Sequence, residues 1–550
     1  MNSYLSSWVY SRNERVKRLL VIAIFFCLGY LIIIYNLILT NFQKDDKNAN
    51  FALNQSTRGE ILDRNNHVLA SNLMLASVYA NPPKVVNIRF TVQKLASVIK
   101  DLDQAKLTKD LSSNKNFIWV KRDITSAERD RINELGLAGI FFTSEEKRIY
   151  TQGSSMSHIL GYVDRDNNGI AGVEKFFDKH LKGENGTTKN MILSIDHRIQ
   201  NIVSEELDDA IAKYSALGGS CIVADVQNGE VLAIVSKPDF DPHLPSKATA
   251  EQLFNRSTLG VYEMGSVSKI LTFTAGLDSK IIDMRDVYNI HDFHVGKYKI
   301  KDTHRRDGWN TVPQIFMNSS NIGTATMLIE IGKENFVNYM EKLGMLKQLT
   351  IEVPERAMPL FPKKEKITDL NLITMSYGYG FATSPAHFVE AMIPIVNGGL
   401  KYPLTLVKDA AATPIKILDS QTSENIVKLM RVTVEKGTGK KAAVQGYLVS
   451  GKTGTAEKLG PKGYLANHRY SSFVATFPSI SPKIIIYFFL DDPRGIKENF
   501  GFAGGGFTAA HSTGKIIARI GPLCGIAHYD ENDPHIKNIM QVDSEVDSET

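Results

Sequence analysis

The feature that most constrains this chain is a long uncharged stretch close to its N-terminus. No charged residue occurs from Leu19 to Gln43, and about 20 apolar residues are enough for a helix to cross a bilayer. Four basic residues precede this stretch, against the single acidic residue Glu14: Arg12, Arg15, Lys17 and Arg18. Since basic flanks stay on the cytoplasmic side, the sequence predicts a single transmembrane helix over residues 19–43. Residues 1–18 would then lie in the cytoplasm and the rest of the chain outside it.

The composition excludes several classes of protein. Of 550 residues, 43% are hydrophobic and 22% are charged, which is close to the globular average and excludes a chain that is disordered throughout. It is also too polar for a transporter with many spans. The net charge is only +5 and no basic stripe is present, so nucleic acid is not expected as a partner. Three cysteines cannot form a disulfide framework, and the sequence leaves open whether Cys221 and Cys524 pair.

The rest of the chain divides into a linker, two folded regions and a tail. Residues 44–57 have the polar composition of a juxtamembrane linker. Residues 58–195 mix short strand-like runs with helical stretches, including an amphipathic helix over 88–102, and predict a mixed α+β domain. Residues 196–525 predict an α/β domain. Residues 526–550 are acidic and are predicted to be disordered.

The strands of the α/β domain come from both of its ends. Near its start, two β-forming runs flank Asn228-Gly229, which is a strong hairpin signal. Near its end, apolar runs occupy residues 471–478 and 483–492, and helices and loops fill residues 250–440. An antiparallel sheet is therefore expected to join the two ends of this region.

One motif predicts a nucleotide site. Residues 446–453, GYLVSGKT, match the phosphate-binding pattern G-x-x-x-x-G-K-[ST]. That pattern needs a loop followed at once by a helix, but Tyr447 to Ser450 are mostly β-forming and Gly454 follows directly. A membrane-anchored P-loop NTPase is therefore a remote alternative.

A serine and a lysine three residues apart give a second candidate site. If Ser266 opens a helix, Ser266 and Lys269 share a face, with Cβ atoms about 5–6 Å apart. A neutral Lys269 could then take the serine proton. The apolar run after Lys269 indicates a buried helix, and burial, with repulsion from Lys452 if it faces the same cleft, would lower the Lys269 pKa. Alone, the S-x-x-K pattern is weak, because a capping serine and a solvated lysine produce it equally well.

Two further motifs follow in order along the chain. Ser319-Ser320-Asn321 is an S-x-N sequence and carries little information by itself. Residues 452–455, KTGT, are more specific, because a lysine and a threonine at a strand edge can bind a carboxylate. Gly454 would let a substrate backbone approach and pair as an added strand.

In this order, the three motifs resemble those of penicillin-binding proteins and serine β-lactamases. Other segments resemble class B penicillin-binding proteins, and in part their division-specific, FtsI-type branch: residues 58–65, 148–150, 158–161, 169–174, 262–266, 375–378 and 437–440. The resemblance covers roughly residues 16–520. It implies a multi-domain α/β protein with one membrane anchor, a pedestal or dimerisation domain over 58–195 and a transpeptidase domain over 196–525.

The resemblance also implies an activity and a location. A protein of this family is held in the bacterial cytoplasmic membrane with its catalytic domain outside. It cross-links peptidoglycan stem peptides as a serine D-Ala-D-Ala transpeptidase, here during septum formation, and β-lactams acylate it. The partners implied are the stem peptides, a SEDS-type glycosyltransferase and other membrane proteins of the division septum.

Roles for the site residues follow from the same resemblance. Ser266 would be the nucleophile, Lys269 its base, and Ser319 a relay of the proton to the leaving nitrogen. Substrate binding would fall to five residues: Asn321, Lys452, Thr453, Gly454 and Thr455. The backbone N–H groups of Ser266 and Thr455 would form the oxyanion hole. No metal or organic cofactor is implied.

Two alternatives within the resemblance stay open. One is an elongation-type class B penicillin-binding protein. The other is a penicillin-responsive receptor, which should have additional spans or a cytoplasmic effector. Arg58, Asp63 and Arg64 allow two interpretations: coupling to a polymerase or, preferred for any one of them, an inter-domain salt-bridge network.

Overall fold

The computed structural model describes residues 17, 20–36, 58–183, 188–296, 298–302, 307–410 and 413–542. The chain forms two compact units, Met1–Thr57 and Arg58–Thr550. Apart from Lys17, the described part of the first unit is a helix, α1 (residues 20–36). Within the described ranges, no helix is both long and apolar enough to cross a membrane. Both ends of the predicted span 19–43, and the linker 44–57, lie outside the described residues.

The second unit begins with a five-stranded sheet. Its strands are β1 (Ile61–Leu62), β2 (Val68–Ala80), β3 (Ile118–Ile124), β4 (Ile140–Tyr150) and β5 (Met191–Ile192). On one side β2 pairs with β4, and on the other with β1 and then β3, all antiparallel. Three helices share an apolar core with β2 and β3: α2 (Ile88–Val98), α3 (Gln104–Leu111) and α4 (Ser126–Glu134). Helix α2 confirms the helix predicted over 88–102.

A buried ionic cluster lies at the base of this region, near three short helices: α5 (Ser157–Leu160), α6 (Gly172–Phe176) and α7 (Asp178–Lys182). The fully buried Arg58 guanidinium lies 2.6 Å from Glu174 and 2.7 Å from Asp178. Arg148 pairs with the second oxygen of Glu174 at 2.7 Å. Buried charges need such partners. The cluster therefore ties Arg58, the first residue of the second unit, to α6 and α7.

Two of the three residues named for the inter-domain network, Asp63 and Arg64, pair with residues beyond position 195, the boundary predicted from the sequence. Asp63 Oδ2 lies 2.6 Å from His197 Nδ1, and Arg64 pairs with Glu230 at 3.3 Å. Arg58 pairs with Glu174 and Asp178, which both lie within residues 58–195.

The rest of the unit is built around a second five-stranded sheet. Its strands are β6 (Gly218–Asp225), β7 (Val231–Lys237), β14 (Ser450–Gly460), β15 (Gly463–Phe477) and β16 (Ile484–Asp491). Their order is β14-β15-β16-β6-β7, and every pair is antiparallel. The predicted sheet, its β6–β7 hairpin at Asn228-Gly229 and its origin in both ends of the region are confirmed.

Both faces of this sheet are covered, which explains its continuous apolar runs. Alternate residues of β16 enter different cores: Ile484, Ile486, Phe488 and Leu490 pack with one set of helices, and Ile485, Tyr487 and Phe489 with the other. Since successive side chains of a strand point to opposite faces, a strand covered on both sides carries no polar alternation.

Helices and short strands complete the unit. The helices are α8 (His197–Tyr214), α9 (Ala250–Leu253), α10 (Lys269–Asp278), α11 (Val312–Asn318), α12 (Asn321–Lys342), α13 (Asp369–Ser376), α14 (Pro385–Val396), α15 (Ser420–Glu435), α16 (Ala509–Ile520) and α17 (Pro534–Met540). The short strands are β8 (Val287–Asn289), β9 (Phe293–Val295), β10 (Tyr298–Ile300), β11 (Trp309–Thr311), β12 (Leu400–Lys401) and β13 (Ile415–Lys416). Helices α8 and α16 cover one face of the central sheet, and α10, α14 and α15 belong to the core on the other face.

The start of the tail is ordered, contrary to the prediction of disorder for 526–550. Ile526 is buried, and the Glu531 carboxylate accepts from Gly446 N at 2.8 Å and pairs with Arg431 at 3.0 Å. At least one acidic residue of the tail, Glu531, thus forms an ion pair with the folded unit. Residues 543–550 lie outside the described residues. Cys221 and Cys524 are free thiols.

Candidate active site

Three segments that are distant in sequence meet at the β14 edge of the central sheet. They are the 3-10 turn Gly265–Ser268 with the start of α10, the junction between α11 and α12, and β14 itself. Together they carry every predicted site residue: Ser266, Lys269, Ser319, Asn321, Lys452, Thr453, Gly454 and Thr455.

The turn can lie against β14 because residue 265 is glycine. Its φ is +57°, and a Cβ there would lie 2.4 Å from the carbonyl oxygen of Thr455. Gly265 N donates to the carbonyl of Gly378 at 3.1 Å. A side chain at position 265 would therefore force the turn, and Ser266 with it, away from the strand.

Ser266 and Lys269 lie on one face of this turn, as their spacing predicts. Lys269 is fully buried, and its Nζ lies 2.9 Å from Ser266 Oγ. The same Nζ lies 2.8 Å from the Ser319 carbonyl oxygen and 2.8 Å from Asn321 Oδ1. These two oxygens can only accept hydrogen bonds. A neutral amine has two N–H groups to give them, which leaves its lone pair for the proton of Ser266.

The protonation state of Lys269 fits this role. Burial lowers its pKa to about 7, while the negative charge of Asp302 acts in the opposite direction. A free lysine has a pKa of about 10.4, so near neutral pH a large share of Lys269 is uncharged. The expected effect of burial is confirmed. The repulsion between the two amines acts on Lys452, whose pKa is lowered well below its usual value by burial and by the charge of Lys269.

The hydroxyl of Ser319 joins the two lysines. Its Oγ lies 3.1 Å from Lys269 Nζ and 2.8 Å from Lys452 Nζ. Ser319 has a left-handed backbone, with φ 58° and ψ 42°, which is uncommon for a residue with a side chain. Strained backbone of this kind often marks functional sites. Here it turns the chain between α11 and α12 so that the carbonyl and the hydroxyl of one residue both reach Lys269.

Lys452 is fully buried, and the contacts of its Nζ among the described residues include no carboxylate. Besides Ser319 Oγ, its Nζ lies 3.4 Å from the Thr453 carbonyl oxygen and 5.7 Å from the centre of the Phe316 ring. Burying an ammonium without an opposite charge is costly. An anion that reached Lys452 would therefore be bound with a strong charge-assisted bond.

The rest of the KTGT segment lines the edge strand. Thr453 Oγ1 lies 2.8 Å from Thr438 Oγ1, and the exposed Thr455 accepts a hydrogen bond from Gly505 N at 3.1 Å. A Cβ on Gly454 would lie 2.2 Å from Ser472 Oγ. Contacts within the protein thus already require glycine at 454.

Asn321 is held at both ends of its amide. Oδ1 contacts Lys269 Nζ, and Nδ2 donates to the Lys301 carbonyl at 2.9 Å. Asp302, which accepts the backbone N–H of Asn321, is not predicted from the sequence, because the short strand before it carries no motif. Thr438 is not predicted either, although the resemblance of residues 437–440 to the family was a signal.

The predicted phosphate-binding motif does not form a phosphate loop. Its last four residues lie in β14, which continues as a strand to Gly460. Such a motif needs a loop that opens a helix, so the geometry does not support the NTPase alternative.

In the part of the chain that the structure describes, one group of side chains able to ligate a metal lies outside these motifs. Asp63, His67 and His197 bring ligand atoms within 4.8 Å of one another. The Asp63 carboxylate already accepts the N–H groups of Asn65 and His67, at 2.8 and 2.9 Å, besides its 2.6 Å contact with His197 Nδ1. We therefore interpret the group as a hydrogen-bonded joint between the first turn of the unit and α8.

Two family models match this chain. The penicillin binding protein transpeptidase domain matches residues 219–516, and the penicillin-binding protein dimerisation domain matches residues 53–209. The first match contains all three motifs.

Named relatives are similar over most of their length. The chain is 34% identical over 490 residues to the probable peptidoglycan D,D-transpeptidase FtsI of Caulobacter vibrioides, an alignment that covers 86% of this chain and 82% of that protein. It is 29% identical over 544 residues to stage V sporulation protein D of Bacillus subtilis, covering 91% and 83%. The crystal structure of a peptidoglycan synthetase from Bifidobacterium adolescentis has the same fold, with a TM-score of 0.68, 22% identity, and coverage of 86% of this chain and 96% of that one.

Proposed function

Because this chain belongs to the penicillin-binding protein transpeptidase family, we propose that it is a serine D,D-transpeptidase that cross-links peptidoglycan stem peptides during septum formation. The observation that carries the proposal is the 2.9 Å contact between Ser266 Oγ and the buried Nζ of Lys269. Two acceptor oxygens on the far side of this amine leave its lone pair for the serine proton.

The first half-reaction would form an acyl-enzyme. Ser266 Oγ attacks the penultimate D-Ala carbonyl of the donor stem peptide, and its proton passes to Lys269. The N–H groups of Ser266 and Thr455 would stabilise the oxyanion. The C–N bond to the terminal D-Ala then breaks, and Ser319 would pass a proton from the lysine pair to the leaving amine. The short distances from Ser319 Oγ to both amines support this path.

The donor would be held by its terminal carboxylate. Lys452 supplies the positive charge, and the hydroxyls of Thr453 and Thr455 would supply hydrogen bonds. The burial of Lys452 without a carboxylate among its contacts in the described residues supports this assignment, since a substrate carboxylate would offset the cost of that burial. Gly454 and the edge of β14 would receive the substrate backbone, and Asn321 would bind the substrate amide.

The second half-reaction would transfer the acyl group. The amine of a neighbouring stem peptide attacks the Ser266 ester and loses a proton to Lys269. The ester C–O bond breaks, and Ser266 recovers its proton. β-Lactams resemble the D-Ala-D-Ala end of the stem peptide and would also acylate Ser266. The acceptor amine would then be unable to release Ser266 from the adduct.

The remaining parts of the chain would place this enzyme at the membrane. Residues 19–43 would anchor it in the cytoplasmic membrane, with residues 1–18 inside. Residues 58–195 would form the pedestal, and residues 196–525 the catalytic domain in the periplasm. The uncharged stretch and its basic flank support the anchor. The anchor and pedestal would contact a SEDS-type glycosyltransferase and other septal membrane proteins.

Depletion of the protein from cells tests the septal role. Filaments with unfinished septa are expected, because the motifs at residues 262–266 and 375–378 resemble the division-specific branch. Round, swollen cells that still divide would indicate the elongation-type alternative instead. A change in gene expression on penicillin treatment, without a wall defect on depletion, would indicate the receptor alternative.

Penicillin labelling of the full-length chain tests the proposed activity. One adduct per chain is expected, mapped by mass spectrometry to the peptide that contains Ser266. Ser266→Ala should fold normally and take no label. A label on another serine, or no label on folded protein, would refute the nucleophile and with it the proposed function.

A further inference from the structure

The carboxylate of Asp302 holds the start of the helix that carries Asn321. It accepts the backbone N–H groups of Asn321 and of Ile322, the latter at 3.1 Å, and the hydroxyl of Ser320 at 2.6 Å. Ser320 Oγ in turn accepts from Gly323 N at 3.0 Å. The first N–H groups of a helix have no partner within the helix. Asp302 and Ser320 together satisfy the first three of α12.

These contacts fix Asn321 from the side opposite the reaction. Its backbone N–H donates to Asp302, and its Nδ2 donates to the carbonyl of Lys301, the residue before Asp302. Only Oδ1 points to Lys269 Nζ, at 2.8 Å. The segment 301–302 therefore determines which atom of Asn321 faces the lysine. It also holds Ser320, the residue next to Ser319.

We propose that Asp302 is a positioning residue of the transpeptidase site, which holds α12 so that Ser319 and Asn321 orient the lone pair of Lys269 towards Ser266. The inference rests on the proposed function, since it assumes that Lys269 is the base. Asp302 has no contact with Ser266 and acts through Asn321 and Ser320.

The charge of Asp302 gives it a second, separable effect. Among the described residues, Lys452 on β14 and Asp302 after β10 are the titratable groups that interact with Lys269. Asp302 favours the charged form of Lys269, while burial disfavours it. Removal of this one negative charge should therefore make Lys269 easier to deprotonate. Geometry and charge can be changed independently at this position.

The test is the rate of acylation by a fluorescent penicillin, measured on the full-length chain in detergent from about pH 5.5 to 9. Asp302→Asn keeps the shape and removes the charge, so the midpoint of the pH profile should fall by roughly 0.5–1 unit. Its plateau rate should stay within about threefold of wild type. Asp302→Glu keeps the charge but displaces the carboxylate, so the midpoint should stay and the plateau fall at least ~10-fold. Asp302→Ala should show both changes.

The control is Asp292→Asn. It also removes one negative charge, but just before β9, the strand that pairs with β10. Asp292 pairs with Lys299 at 2.7 Å, and this variant should match wild type in midpoint and plateau. Melting temperatures separate loss of folding from loss of rate, and Asp302→Glu replaces Asp302→Ala if the latter unfolds. A wild-type plateau in both Asp302→Ala and Asp302→Glu overturns the positioning role. An unchanged midpoint in Asp302→Asn overturns the charge effect. If wild type itself takes no label, the proposed function fails first, and this inference with it.

Discussion

Lys452 Nζ lies 2.8 Å from Ser319 Oγ, so the amine proposed to bind the substrate carboxylate also touches the hydroxyl proposed to carry the proton. The same hydroxyl lies 3.1 Å from Lys269 Nζ. A carboxylate that kept Lys452 charged would therefore disfavour a charge on Lys269, because the two amines interact as like charges. In the proposed mechanism, substrate binding and activation of the base would thus be coupled through Ser319.

Lys269→Arg should slow acylation of Ser266 by at least ~100-fold, the low end for loss of a positioned base. Arginine is nearly the size of lysine but stays charged, because it does not deprotonate in proteins. The second-order rate of penicillin labelling measures the effect. The variant should retain its fold by circular dichroism. A rate near that of wild type would mean that another group accepts the serine proton.

Wild-type acylation should rise with pH and be half-maximal near pH 7. The pKa of Lys269 is lowered to about 7 by burial; below that pH the lysine is protonated and cannot act as a base, and above it the neutral amine predominates. The profile should level off above about pH 8, measured with an inhibitor whose own charge is constant over the range. A midpoint near pH 10, the value of a free lysine, is incompatible with a buried base.

Lys452→Ala should weaken acylation by penicillin about 10- to 100-fold. A charge-assisted hydrogen bond to a carboxylate contributes about 1.5–3 kcal/mol, and each 1.36 kcal/mol is a factor of ten in rate. The methyl ester of the same penicillin is the matched control, because it lacks the carboxylate. The variant should lose far less rate with the ester. Equal losses with both compounds would assign Lys452 to a role other than carboxylate binding.

Gly265→Ala should reduce labelling at least ~10-fold, because its Cβ would meet the Thr455 carbonyl oxygen at 2.4 Å and displace the turn that carries Ser266. Gly296→Ala is the control: its φ is +56°, nearly the same, but apart from its chain neighbours no described residue has an atom within 4 Å of its Cβ. Both variants carry the left-handed strain of roughly 1–2 kcal/mol, measured by denaturant unfolding. Equal labelling by the two variants would show that the close approach to β14 does not matter.

The sequence predicted those features of the fold and the site that depend only on residues close together in the chain. The spacing of Ser266 and Lys269 is enough to put them on one face, and the unbroken apolar run of β16 follows from burial on both sides. Two features arise from packing between distant segments: the left-handed backbone of Ser319 and the contacts of Asp302 with Asn321. No sequence motif near Ser319 or Asp302 predicts them. The prediction of disorder was wrong for the start of the tail, because composition alone could not anticipate the pairing of Glu531 with Arg431.

The position of β16 in the central sheet sets the order of assembly. It lies between β15 and β6 and joins strands that enter the fold from opposite ends of the catalytic region. Until residues 484–491 have been synthesised and have paired, β6 has β7 on one side and an unpaired edge on the other. Unpaired strand edges pair readily with other chains. Pairings between distant segments also form slowly. A newly synthesised chain therefore has an open β6 edge, which can pair with other chains, until β16 is in place, and only then can β15 and β14 join the sheet.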